Sequence, residues 1–142
     1  MKETINDCLP EDLDWVIAYQ ASMPLAFFRA LSESIKADAE STRRFGLAAG
    51  AFRVSAGDRE IVVDETINAR GYRSSRSVVF SLRGEVIVVT ISDQRGNIAK
   101  IFSGKPLLTP KGRIHVLVEG SADTIPVWEF RRRALADLFF SS

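Results

Sequence analysis

The sequence predicts a single α+β domain: two N-terminal helices, an antiparallel sheet of about six short strands, and a C-terminal amphipathic helix packed on the sheet. Apolar residues recur at helical spacing in the first third of the chain, alternate with period two from about Ala51, and return to helical spacing after Ile125. The chain has 142 residues, 46% hydrophobic and 26% charged, as is usual for one globular domain. We therefore assign residues 1–142 to one domain.

Two amphipathic helices are predicted over residues 10–43. A proline followed by two acids at residues 10–12 is typical of a first helical turn, because proline is tolerated there and acids suit the positive end of the helix dipole. Pro24 interrupts the apolar pattern, and Ser22 is placed to cap a second helix. The apolar stripe of that second helix is Leu25, Phe28, Leu31, Ile35 and Ala39.

The sheet is predicted as a hairpin followed by a four-stranded meander. Short turn signals rich in glycine separate alternating apolar segments, which is typical of consecutive antiparallel strands. The hairpin joins 52–54 to 61–63, the meander strands are 78–82, 85–92, 97–103 and 113–119, and a proline- and glycine-rich connection spans 104–112.

The register of the meander is predicted from the requirement that one face stay apolar, because a one-residue slip reverses every side chain. On this basis Phe80 pairs with Ile87, and a three-residue turn at 94–96 pairs Val89 with Ile101. The opposite, mixed face then carries polar groups above an apolar floor. Its members include Thr90, Lys100, Phe102, Arg113 and His115.

The closing helix is predicted over residues 125–140, with Pro126 in its first turn. Trp128, Leu135 and Phe139 lie along its apolar side, so the helix is predicted to pack on the sheet. Three consecutive arginines at 131–133 point about 100° apart on a helix and cannot all meet one ligand. They are interpreted as a solvated face.

The formal net charge of +1 hides a regional asymmetry. Residues 1–42 hold three basic and eight acidic residues, whereas residues 66–113 hold nine basic and two acidic residues, a net charge of +7. Such a block attracts an anionic ligand, nucleic acid or an acidic protein surface over long range, and salt weakens this attraction. Compensation by the acidic N-terminal segment is the alternative.

The segment NARGYRSSRS contains the candidate binding arm, residues 70–76. Arg70, Arg73 and Arg76 recur every third residue around Tyr72, and an extended helix with three residues per turn presents that spacing on one side. Guanidinium groups fit phosphate oxygens, and an aromatic ring can stack on a base. Strand pairing is predicted to fray before the next apolar run, leaving the arm beyond the sheet. A solvated loop or a salt bridge to Asp93 is the alternative.

These observations predict a cytoplasmic, non-enzymatic binding protein that engages an anionic ligand or an acidic protein surface through the arm and the mixed face. The absence of any catalytic motif, together with the basic block, is the basis of this expectation. The expected ligand-binding residues are Arg70, Tyr72, Arg73, Arg76, Lys100, Arg113 and His115.

Two other functions stay open. A small ribonuclease or other nucleic-acid-processing domain could use His115 as acid or base, with Lys100, Arg113 and Thr90 around the scissile phosphate. No spacing motif supports that set. An adaptor or inhibitor could instead act through the N-terminal helices.

Several classes are disfavoured by residue counts. One cysteine, Cys8, and one histidine exclude an intramolecular disulfide and a Cys/His zinc cage, and we expect neither a metal nor a cofactor. The first residues lack the basic-then-apolar order of a secretory leader, and no apolar run approaches about 18 residues, so neither a leader nor membrane contact is expected. A homodimer is expected, because the terminal residues Leu138, Phe139 and Phe140 and the strands that are apolar on both faces could bury against a second copy.

Overall fold

The computed structural model describes residues 15–46, 51–66, 76–93 and 95–140, and these residues form three helices and a seven-stranded antiparallel sheet in chain order. The helices are α1 (Trp15–Ala21), α2 (Pro24–Arg44) and α3 (Val127–Phe140). The strands are β1 (Ala51–Ala56), β2 (Glu60–Thr66), β3 (Ser77–Arg83), β4 (Val86–Ser92), β5 (Ile98–Leu108), β6 (Ile114–Val118) and β7 (Thr124–Pro126). The predicted helix start at residues 10–12 lies outside the described residues.

The break between α1 and α2 falls at Pro24, as predicted, but Ser22 is not the cap of α2. Met23 occupies that position in an extended conformation, because proline restricts the residue before it and itself begins the helix. The Ser22 hydroxyl instead donates a 2.6 Å hydrogen bond to the Tyr19 carbonyl and closes the end of α1.

One hydrophobic core lies between the sheet and the two long helices. The predicted packing of the C-terminal helix on the sheet is confirmed. Burial of the large apolar side chains in this core provides the main stabilisation of the fold. The fully buried members are Phe28, Leu31 and Ile35 of α2, Phe130 of α3, and Ile61, Val63, Val78, Phe80, Ile87, Val89 and Val116 of the sheet.

The sheet has seven strands rather than six, because residues 124–126 pair with β6 before the last helix begins. Val116 lies opposite Ile125, and His115 lies opposite Pro126. Proline is tolerated here because β7 is the edge strand and needs no donor on its outer side. The sequence pattern assigned these residues to the helix.

Strand β5 runs through Gly104 and Pro106, which the sequence pattern assigned to a connection. A Cβ atom on Gly104 would overlap Val116 Cγ1 and lie 2.9 Å from Phe130 Cε1, so glycine lets β5 approach α3 closely. Pairing of β4 with β5 stops at Gly104, whereas β6 pairs with β5 from Gly104 onward. Pro106 therefore lies opposite no β4 residue, and its lack of an N–H group leaves no β4 carbonyl without a donor.

The β3–β4 register differs from the predicted one by two residues, and this difference preserves the faces. Phe80 lies opposite Val89 rather than Ile87, and Arg83 lies opposite Val86. The turn is formed by residues 84–85, with Gly84 at φ +65°, a conformation that favours glycine.

The β4–β5 register differs by one residue, so the predicted faces of β5 were wrong. Thr90 lies opposite Ile101, and a bulge between Ile91 and Ser92 absorbs the shift. Phe102 consequently points to the helices, with its ring centroid 5.6 Å from that of Phe130 in an edge-to-face contact. Burial of a phenylalanine stabilises this register more than burial of the smaller side chains that the pattern placed inside.

The two faces of the sheet have different environments. Every sheet residue of the hydrophobic core belongs to the alternating set that points to α2 and α3. We call the opposite side the open face. None of the apolar side chains that point to the open face belongs to the core.

Candidate binding surface

The candidate arm is described only at its end. Arg70, Tyr72 and Arg73 lie outside the described residues. Arg76 directly precedes β3, and its guanidinium donates two hydrogen bonds to the Glu65 carboxylate, 3.0 Å from Nε to Oε1 and 2.8 Å from Nη2 to Oε2. The side chains of Arg76 and Glu65 are only 18% and 14% exposed. Arg76 is thus held against the body of the protein.

Arg76 also contacts the end of α3. Its Nη1 donates to the Asp137 carbonyl at 3.1 Å, and its Nη2 donates to the Leu138 carbonyl at 3.2 Å. A cation suits these carbonyls because they carry the negative end of the helix dipole. The hydrogen bonds between the two side chains lower the pKa of Glu65 and raise the pKa of Arg76. Arg76 therefore joins β2, β3 and α3.

Asp93, the alternative partner of the arm, has a local role. Its Oδ1 accepts the backbone N–H groups of Arg95 at 2.9 Å and Asn97 at 3.0 Å. This arrangement closes the turn between β4 and β5. The carboxylate that Arg76 contacts is Glu65.

The residues of the hypothetical ribonuclease site are separated. His115 Nδ1 lies 3.1 Å from Thr124 Oγ1, a contact between β6 and β7, and Arg113 lies two residues away at the start of β6. Thr90 lies opposite Ile101, whereas His115 lies opposite Leu107. These positions are six residues apart along β5, about 20 Å. Arg113 and His115 are neighbours, but Thr90 is at the other end of the sheet.

Lys100 lies on the side of β5 that faces the helices, because it shares the orientation of Phe102. Its Nζ is 5.2 Å from the centroid of the Phe102 ring, a cation–π contact at an exposed site. Lys100 and His115 therefore occupy opposite faces of the sheet, so the four residues do not form one catalytic cluster.

An exposed basic and apolar surface lies where β4 turns into β5. We call Arg95, Ile98, Lys100 and Ile101 the basic tip. Ile98 and Ile101 are 60% and 57% exposed. Within the described residues, neither Arg95 nor Lys100 forms an ion pair. The tip thus combines two available cations with two exposed isoleucines.

The basic tip lies at the end of the sheet where β2 ends and β3 begins. Asp64 of β2, Ser77 of β3, Ser92 of β4 and Ile98 of β5 form one row across four strands. Arg76, the described end of the arm, directly precedes Ser77. Arg95 and Lys100, two of the cations predicted as a regional block, therefore lie at the same end of the sheet as Arg76.

A second surface feature, missed by the sequence reasoning, is a groove of about 280 Å³ between α2 and α3. Arg131 bridges the helices there, with its Nε 2.6 Å from Asp38 Oδ2. Trp128 also lines the groove and is 58% exposed, although the helical pattern placed it against the sheet. An ion pair across 93 positions of sequence leaves no local signal.

No family model, curated protein or solved structure matches the chain. Among the described residues, no helix is long and apolar enough to cross a membrane. The same part of the chain contains no group of three or more His, Cys, Asp or Glu side chains placed to hold a metal ion.

Proposed function

We propose that the chain is a non-enzymatic, cytoplasmic binding protein that engages an acidic protein surface through the basic tip and the adjoining arm. One observation carries the proposal: among the described residues Arg95 and Lys100 form no ion pair, and both belong to the tip that exposes Ile98 and Ile101. Arg76 is assigned to the scaffold in this proposal, because its guanidinium already binds Glu65 and α3.

The mixture of side chains favours a protein surface over a small anion. Exposed isoleucines provide apolar area that a partner protein can cover, whereas an inorganic anion offers no apolar group in return. Cations at the margin of such a contact steer an acidic partner and make its association depend on salt. In this proposal Arg70 and Arg73 of the arm contribute two further cations to the contact.

The proposal is tested with a fluorescein-labelled acidic peptide of glutamate and valine and with its glutamine counterpart, by fluorescence anisotropy. The protein should bind the acidic peptide more tightly, and salt should weaken that binding. Replacing Arg95 and Lys100 together with glutamine should weaken binding about 5-fold, because two exposed ion pairs contribute about 1 kcal/mol. Equal affinity for both peptides would contradict the proposal.

A matched control removes the same charge from the other end of the sheet. Arg83 ends β3 and Lys111 lies in the β5–β6 turn, and both are exposed. Their joint replacement by glutamine should leave the affinity within about 2-fold of the wild type, since charges beyond a Debye length are largely screened. An equal loss in both double variants would point to net charge rather than to the tip.

The ribonuclease hypothesis makes a different prediction. Incubation with mixed RNA should give no cleavage that depends on His115, because Thr90 and Lys100 lie far from it. Cleavage that disappears in His115→Ala would support the enzyme and contradict the binding proposal. Salt-sensitive RNA binding without cleavage would instead make nucleic acid the anionic partner.

The exposed surface of α1 favours a second candidate function, an adaptor that acts through its N-terminal helices. Trp15 and Tyr19 are 61% and 57% exposed, and aromatic side chains are enriched in protein interfaces. If α1 binds the partner, capture of that partner should be lost after Trp15→Ser with Tyr19→Ser. Capture should then survive the joint replacement of Arg95 and Lys100 by glutamine.

A further inference from the structure

The three central strands of the open face, β3, β4 and β5, present aliphatic and hydroxyl side chains. One row across the sheet joins Val62, Val79, Thr90 and Ile101, and the next joins Glu60, Ser81, Val88 and Ser103. Ser103 is buried and donates a 2.6 Å hydrogen bond to the Glu119 carboxylate. The carboxylates of Glu60 and Glu119 therefore lie at the two ends of the second row, outside the three central strands.

This composition is unusual for a face exposed to water. Antiparallel strands with one solvated face normally alternate apolar residues with polar or charged ones. In β4, however, Ile87 and Val89 point to the helices while Val86 and Val88 point to the open face. Strands that are apolar on both sides are typical of sheets covered on both sides, yet the described helices pack on only one.

The open face is large enough for a stable interface. Seven strands span six spacings of about 4.8 Å, and six residues of strand extend about 20 Å, which gives about 600 Å² in projection. The accessible area of a corrugated surface exceeds its projection. The face therefore approaches the about 800 Å² that each partner buries in a standard interface.

The margin of the face carries charges of both signs. Arg53 pairs with Asp64 at 3.6 Å on one side, and Lys105 pairs with Glu85 at 3.1 Å on the other. A strongly acidic or basic partner would find no net charge to complement. A second copy presents the same aliphatic central strands and the same margin of mixed charges, so neither copy opposes the other with a surface of one sign.

From these observations we infer that the open face is the contact surface between two copies of the chain. The two sheets would stack about 10 Å apart, with valine side chains of one copy packing against valine and hydroxyl groups of the other. A two-fold axis closes such an assembly at a dimer. Lys100 points away from this contact and stays accessible in each copy, whereas Ile101 of the basic tip lies on the open face, opposite Thr90.

The inference is tested by sedimentation equilibrium and by light scattering coupled to size-exclusion chromatography. The wild type should approach twice the 15.7 kDa mass of the chain as its concentration rises. Val79→Glu should weaken the dimer about 100-fold or more, because an unpaired charge would be buried in the contact. Ser81→Arg should do the same at a position that is already polar, so at least one folded variant is available.

Gln20→Arg provides the matched control, since Gln20 is exposed on α1, away from the sheet. Circular dichroism should show native secondary structure in all three variants, and Gln20→Arg should dimerise like the wild type. A monomer at every concentration up to the solubility limit would overturn the inference. A dimer that persists in folded Val79→Glu and Ser81→Arg proteins would also overturn it, because the contact would lie elsewhere.

Discussion

Replacing Arg76 with alanine is expected to lower the free energy of unfolding by about 2–3 kcal/mol at neutral pH. Exposed ion pairs contribute about 0–1 kcal/mol, and removing one partner of a buried pair costs about 3–5 kcal/mol. Arg76 and Glu65 are 18% and 14% exposed, which places this pair nearer the buried limit. The variant also leaves the last carbonyls of α3 without the guanidinium that they contact.

The ion pair between Arg76 and Glu65 should also make stability depend on pH. The pKa of Glu65 lies below its ordinary value of 4.5 in the folded state, with the hydrogen bond from Arg76 as the main cause. Stability from this carboxylate is therefore fully present above pH 4.5 and is lost as the pH falls through the lowered value. The stability difference between the wild type and Glu65→Gln should shrink in that acidic range.

Urea denaturation followed by circular dichroism measures both effects, and the double variant Arg76→Ala with Glu65→Gln measures their coupling. Arg53→Ala is the matched control, because Arg53 is 74% exposed in its pair with Asp64 and should contribute less than about 0.5 kcal/mol. An Arg76→Ala protein as stable as this control, or additive single changes at positions 65 and 76, would refute the scaffold role of Arg76.

Three further predictions concern packing and are checked by the same unfolding measurement. Gly104→Ala should destabilise by about 1–3 kcal/mol because its Cβ would overlap the core, whereas Gly57→Ala should be nearly neutral because its nearest contact is 3.7 Å away. Phe102→Ala should lower the free energy of unfolding by about 3–4 kcal/mol and Ile101→Ala by less than about 1 kcal/mol. The reverse order would support the register predicted from the sequence, in which Ile101 is buried. Asp38→Asn should cost about 1 kcal/mol, and a neutral result would mean that the ion pair between α2 and α3 does not stabilise their packing.

Local patterns predicted the main elements because those patterns have physical causes close in sequence. Helical spacing predicted the apolar stripe that contains the buried Phe28, Leu31 and Ile35. Alternation predicted the faces of β3 and β4, although the predicted pairing of these strands differs from the observed one by two residues. The β4–β5 register failed because a bulge has no sequence signal of its own.

The candidate site was predicted less well than the fold. The sequence located a basic block, but it does not show whether the guanidinium of Arg76 faces solvent or a carboxylate. In the structure Arg76 donates hydrogen bonds to Glu65, eleven positions earlier, and to two carbonyls of α3, more than sixty positions later. Ile101, one of the residues proposed to bind, was predicted on the buried face of the sheet opposite Val89, whereas it is 57% exposed.

The sequence by itself determined the α+β class, the helix–sheet–helix order and the regional positive charge, because composition and periodicity act through neighbours along the chain. Only the tertiary structure decided which face of β5 is buried, which carboxylate Arg76 contacts and which side of the sheet the described helices leave uncovered. Those outcomes depend on packing against α3 and on partners distant in sequence, where the free energy of burying Phe102 or pairing Arg76 depends on the folded arrangement.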